Sequence, residues 1–313
     1  MNIVNYSAGA DTGGQGYRFA QAFTKHSDID YRSVVRNTNY INYPKDLPFQ
    51  QATRFLERAD VLHVNTTYQG LERYWKPSVI HYHGTQFRNN PEKYLERRRE
   101  RGAVALVSTL DLWLLAPDEV TWCPAPYDLD WLATFRKPQD GKLRVGHAPT
   151  DRKIKSTDAL IAAVKRIKGA ELVLIERQSW DKCLTLKGTV DVFYDQVILG
   201  YGNNAVEAWG MGIPVICGAQ SDTLAEMRNR FGVLPFYEAD EDSIYEALLA
   251  LTDPDTRAEY GERGRAHAER FHSERAVVEL MWPVYEGALT APLPERPPQP
   301  QRRGPQRRGR VHR

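Results

Sequence analysis

Short β-branched or apolar runs alternate with longer amphipathic stretches from the first residue onward, and no other feature of the 313-residue chain restricts its fold as strongly. Such alternation builds βαβ units, in which parallel strands are joined by helical crossovers and buried on both faces. Residues 2–6, 31–35, 59–64, 78–82, 104–107 and 119–122 read as strands of a first sheet, with a helix over 14–25 behind the first of them. The stretch Cys123-Pro-Ala-Pro-Tyr127 carries two prolines, which neither a central strand nor a helix interior accepts, so a boundary belongs there. A second series follows, with strands at 143–146, 171–175, 190–194 and 213–217 and a helix over 157–167. Residues 240–289 read as nearly continuous helix, broken at 252–254 and near 271–273. A chain this long exceeds the size of one growing core, so two α/β domains are expected, over 1–125 and 126–289, with a tail over 290–313.

Charge divides unevenly between body and tail. Residues 292–313 hold seven Arg and one Glu, a net +6, so the whole-chain value of +2 leaves −4 for residues 1–291. An acidic body argues against a broad basic nucleic-acid groove. The Pro/Arg/Gly/Gln tail has too few apolar residues for a core and is expected to be disordered. Its charge suits nucleic acid or an anionic surface, or a solubilising end without a partner. The 42% hydrophobic and 26% charged composition excludes a wholly disordered or fibrous chain. Cys123, Cys183 and Cys217 are odd in number and lack CxxC spacing, which points to buried thiols in a reducing, cytoplasmic compartment. No apolar run is long enough for a membrane span, and none is expected.

The chemistry-bearing stretch is Gly-Tyr-Gly-Asn-Asn-Ala-Val-Glu-Ala-Trp-Gly-Met-Gly-Ile-Pro-Val, residues 200–215, which follows a strand of the second series. Gly200 and Gly202 permit a tight loop, Asn203 suits an N-cap, and the amides of Asn204, Ala205 and Val206 would then point at an anion such as phosphate. Glu207 lies four residues beyond Asn203, on the same helix face, where a carboxylate can accept from both hydroxyls of a ribose. A glutamate merely complementing the helix dipole is the plainer alternative. Upstream, Arg152, Lys153 and Lys155 form a basic loop between a strand and a helix, either a diphosphate clamp or a solvated loop. The segment AGADTGGQG after the first strand is no dinucleotide fingerprint: its glycines are not spaced GxGxxG, and no acid follows the second strand. His81 and His83 share a strand face, without a third metal ligand nearby. Three glutamates at i, i+4 spacing beside five basic residues over 91–102 suit a solvated helix.

VDVFYDQVILGYGNNAVEAWGMGIPVIC resembles the nucleotide-sugar motif of GT-B-fold glycosyltransferases of the family 4 type. That resemblance implies two Rossmann-like domains facing a cleft and metal-independent, retaining transfer of a sugar from a nucleotide diphosphate to an acceptor hydroxyl. It implies no resident cofactor, the nucleotide sugar being a co-substrate. It assigns Glu207 to the ribose, with Gly202, Asn203, Asn204 and Ala205 beside the phosphates. Gly13 and Gly14 match the glycine loop that closes over the donor, and Lys155 matches a phosphate-binding lysine. His147 stands where the family has an arginine, which makes Arg152 the candidate replacement. His83 matches the cleft histidine near the reacting sugar. Leu199 replaces a sugar-recognising glutamate, leaving Asp195 as the candidate substitute. The two departures favour, as an alternative, a decayed nucleotide-binding protein acting through a partner or nucleic acid; an epimerase on the same fold is a third reading. The acceptor is not legible.

Overall fold

The computed structural model describes residues 1–137 and 141–296. The first half holds a six-stranded parallel sheet made of β1 (Asn2–Ser7), β2 (Asp30–Val35), β3 (Val61–Asn65), β4 (Ser78–Tyr82), β5 (Val104–Val107) and β6 (Thr121–Trp122), in the order β2-β1-β3-β4-β5-β6. The second half holds β7 (Leu143–His147), β8 (Ala170–Leu174), β9 (Val192–Tyr194), β10 (Val215–Cys217) and β11 (Tyr237–Glu238), ordered β11-β10-β9-β7-β8. The fold is thus α/β with two parallel sheets, as expected. The order reverses between β1 and β3 in the first sheet and between β7 and β9 in the second. Crevices open beyond the carboxyl ends of strands at such switch points.

The strands read as apolar runs because helices cover both faces: all five residues of β3 and of β4 are buried. Polar residues gather at the carboxyl edge instead. Register sets Asn65 beside Ser7 on β1 and beside His81 on β4. The helix Glu274–Thr290, last in the chain, returns to the first half and packs Val277, Val278, Met281 and Tyr285 against Phe23 and Tyr31. Beyond it, Trp75 Nε1 donates to Pro294 O at 2.8 Å and Arg296 to Glu72 O at 3.0 Å, so the start of the tail lies along the first half. The rest of the expected disordered tail, 297–313, lies outside the described residues.

Several expected elements are shorter or shifted. The strand at 190–194 begins at Val192, just after Asp191, whose amide donates to Arg144 O and whose carboxylate accepts the Arg144 amide, and 119–122 shrinks to Thr121–Trp122 at the sheet edge. The edge strand Tyr237–Glu238, two residues long, has too little sequence to carry a period. Three free cysteines are present, and no helix of the described residues is long and apolar enough to cross a membrane.

Candidate functional site

At the carboxyl end of β9, Asp195 is almost completely buried, and its two oxygens are committed: Oδ2 accepts from the Gly202 amide at 2.7 Å and Oδ1 from Lys155 Nζ at 2.8 Å. That pairing ties the loop after β7 to the loop after β9 across the second switch point. The helix Asn203–Gly210 starts there, with Gly202 rather than Asn203 at its cap. The Ala205 and Val206 amides turn back to Gly202 O at 3.0 and 3.3 Å, so two of the three amides expected to be free are not. The Asn203 side chain is released from capping and reaches the other half, donating to Gly13 O at 3.3 Å.

Gly13 and Gly14 follow β1 at the first switch point, with φ of +61° and +69°. The left-handed backbone favours glycine at residue 13, and a Cβ there would stand 2.2 Å from Asn203 Nδ2, so that side chain would have to move. The Asp11 carboxylate accepts the Gly16 and Tyr17 amides at 2.9 and 3.0 Å and so caps the helix Gln15–His26. A second bridge between the halves runs from the Trp180 amide to Ile41 O, 2.7 Å long.

Glu207 sits behind this meeting point, and its surroundings are not an open ribose pocket. Oε1 accepts from Arg18 at 2.7 Å and Trp180 Nε1 at 2.9 Å, and Oε2 accepts from Lys187 Nζ at 2.5 Å. Burial pushes its pKa up, but the charges of Lys187 and Arg18 outweigh that and hold it below the usual carboxylate value. Lys187 also reaches Asn204 Oδ1 at 2.9 Å, and Asn204 Nδ2 donates to Ala148 O at 3.2 Å. Arg18 is caged by rings, 4.1 Å from the centroid of Tyr127 and 5.4 Å from those of Tyr43 and Trp180. A cavity of about 250 Å³ opens beside the cluster, walled by Tyr17, Arg18, Tyr127, Trp131 and Trp180.

The remaining candidates have partners of their own. His147 is the buried last residue of β7, hydrogen-bonded to Tyr194 O at 3.0 Å and Thr157 Oγ1 at 2.9 Å, with burial lowering its pKa to about 4. Arg152 is half exposed and faces Glu176, 2.6–2.7 Å away. His83 lies at the edge of the first sheet with Nε2 3.0 Å from Asn65 Oδ1. Since Asn65 Nδ2 is used on Asn5 Oδ1 (2.6 Å) and Ser7 Oγ (3.0 Å), its oxygen must face the ring, so Nε2 carries the proton and Nδ1 is an acceptor. Burial lowers the His83 pKa to about 3, which keeps it neutral. His81 shares that face as expected, its ring centroid 4.3 Å from that of His83 and its Nδ1 3.3 Å from His63 Nε2.

The structure therefore gathers Gly13, Gly14, Lys155, Asp195, Gly202, Asn203, Asn204, Ala205 and Glu207 around one helix end. Sequence reasoning missed Arg18, Lys187, Trp180 and Asn65. Lys187 carried a signal, being the only charge in the run from Cys183 to Val190. Such a residue needs a buried partner.

No family model and no curated protein matches the chain. Solved structures do. A glycosyltransferase from Rickettsia africae ESF-5 has a TM-score of 0.60 at 11% identity, over 92% of this chain and 98% of its own. An α-glucosyltransferase solved with UDP and a 13-mer DNA containing an HMU base gives 0.63 at 11% identity, over 91% and 99%. Anabaena HepE, solved with UDP and glucose, gives 0.60 at 12% identity, over 91% and 99%. At such identities the likeness establishes architecture: the chain has the two-domain GT-B fold of these glycosyltransferases.

Proposed function

We propose that the protein transfers a sugar from a nucleotide-diphosphate sugar to an acceptor hydroxyl, without a metal and with retention of anomeric configuration. The observation that carries this reading is the meeting of the two switch points, where Asn203 of one half touches Gly13 of the other beside Lys155 and the positive end of the helix Asn203–Gly210. A diphosphate suits that helix end, with Lys155 as counter-charge. Gly13 and Gly14, lacking side chains, let the opposing loop approach the phosphates closely. In the transfer, the bond from the anomeric carbon to phosphate oxygen breaks and its electron pair leaves with the nucleotide diphosphate. The acceptor oxygen bonds the same carbon, and its proton passes to the departing phosphate. Lys155 and the helix end stabilise the charge that develops, while neutral His83 accepts a hydrogen bond from a sugar hydroxyl at Nδ1. The neighbours solved with UDP favour a uridine donor.

The acceptor is a hydroxyl-bearing molecule held by the first half. The Arg-rich tail would supply charge for a polyanionic acceptor such as nucleic acid, and deleting 297–313 should then weaken binding of that acceptor alone. The donor reading is tested by thermal shift with UDP, GDP, ADP and their sugars: a ligand at a hundred times its Kd adds about 2.7 kcal/mol. Silence across the whole panel refutes it.

A further inference from the structure

Arg18 and Lys187, both buried, share the single carboxylate of Glu207. Lys187 belongs to the same half as Glu207, so that pair is complete on its own. Arg18 is the surplus charge. One Nη donates to Gly13 O and the other to Glu207, while Nε is buried with no partner among the described residues. The next acid, Asp11, commits its oxygens to the Gly16 and Tyr17 amides, and burial raises its pKa. A guanidinium held out of water with an unmatched donor is unfavourable until an anion reaches it. The cations expected to meet the diphosphate are already balanced, Lys155 by Asp195 and Arg152 by Glu176, and His147 is neutral and hydrogen-bonded to Thr157.

We propose that Arg18 changes partner when the donor binds: the ribose hydroxyls take Glu207 Oε1, and the guanidinium moves to the donor diphosphate. This rests on the donor reading given above. The first half then supplies the leaving-group cation whose usual place in the second half is held by His147, and that cation is in position only when the two halves are closed.

The test compares isothermal-titration affinities of uridine, guanosine and adenosine, and of UDP, GDP and ADP, for the parent protein, Arg18→Met and Arg18→Lys. With Glu207 freed, Arg18→Met should bind the preferred nucleoside several-fold more tightly. The affinity gained by adding the diphosphate should fall by on the order of tenfold to a hundredfold, the value of a lost charged hydrogen bond. Arg18→Lys should recover part of that gain. A diphosphate gain equal to the parent's in Arg18→Met, or a weaker nucleoside, overturns the exchange while leaving the donor reading intact. A parent that binds none of the six ligands overturns both. Should Arg18→Met be unfolded by circular dichroism, Arg18→Lys decides alone, since it keeps the charge but loses the second donor: its diphosphate gain must drop by at least about threefold.

Discussion

Nη2 of Arg18 lies 2.7 Å from Oε1 of Glu207, so the helix that follows β1 is ion-paired to the helix that follows β9. Both partners are buried. Removing the carboxylate leaves two cations buried without an anion, whereas removing carboxylate and lysine together leaves one. Glu207→Leu should therefore cost about 3–5 kcal/mol, the penalty of an uncompensated buried charge. The double change Glu207→Leu with Lys187→Met should recover more than half of it. Urea denaturation of the three proteins reads this directly, and a double variant no more stable than the single one contradicts it.

Buried neutral histidines should set the acid limit of the fold. Burial lowers the pKa of His63 and His83 to about 3, of His147 and His272 to about 4, of His267 to about 2, and that of His81 well below its usual value. Each is depressed below the unfolded value of about 6.5, so the stability tied to its neutral form is fully present above that pH and lost as pH falls towards the folded pKa. Each histidine contributes a slope of about 1.4 kcal/mol per pH unit in that window. His63, His81 and His83 touch one another, as do His267 and His272, so the loss is shared within each group and the expectation is its direction with falling pH. Glu207, whose pKa is lowered, adds to the loss only below about 4.5. The melting temperature should be flat from pH 8 to 7 and drop steeply below 6.5; an unchanged value at pH 5 would refute the assignment of neutral histidines.

What the sequence conceals follows a physical pattern. Period and punctuation reveal the αβ alternation and the helix breaks near 252 and 272, because these arise from neighbours along the chain. The helix end at Gly202–Asn203 is legible for the same reason, although which residue caps it is decided by Asn203 having a better partner in Gly13. The environment of Glu207 is not legible. Its three donors lie 189, 27 and 20 residues away, and nothing local marks Arg18 as facing inward. Arg152 shows the converse: a basic residue in the right loop is drawn off by Glu176, an acid on a separate strand's exit.

Gly13 allows two costs to be separated. In Gly13→Ala the left-handed backbone should cost about 1–2 kcal/mol, and the new Cβ must also displace Asn203 Nδ2. Pairing it with Asn203→Ala removes the clash but not the backbone strain. The double variant should be more stable than the sum of the two single losses predicts, by a coupling of about 0.5–3 kcal/mol. Strict additivity in thermal or urea denaturation would mean that the two residues do not touch in solution.

Lys155 and Asp195 give opposite expectations for the donor although they bond to each other. Lys155→Met removes the counter-charge at the helix end, so nucleotide-diphosphate affinity should fall while nucleoside affinity stays level. Transfer should slow by about 10²–10³-fold in kcat, the scale for one group that stabilises developing charge. Asp195→Asn keeps an acceptor for the Gly202 amide, so the loop stays formed. It also releases the ammonium from its present partner, 2.8 Å away, to whatever anion occupies the cleft. Diphosphate affinity should then hold or rise. Calorimetric titration with the nucleotide diphosphate that the parent prefers distinguishes the cases. Equal losses in both variants would mean that Lys155 acts only by fastening the loop through Asp195, and the phosphate role would pass to the positive helix end and Arg18 alone.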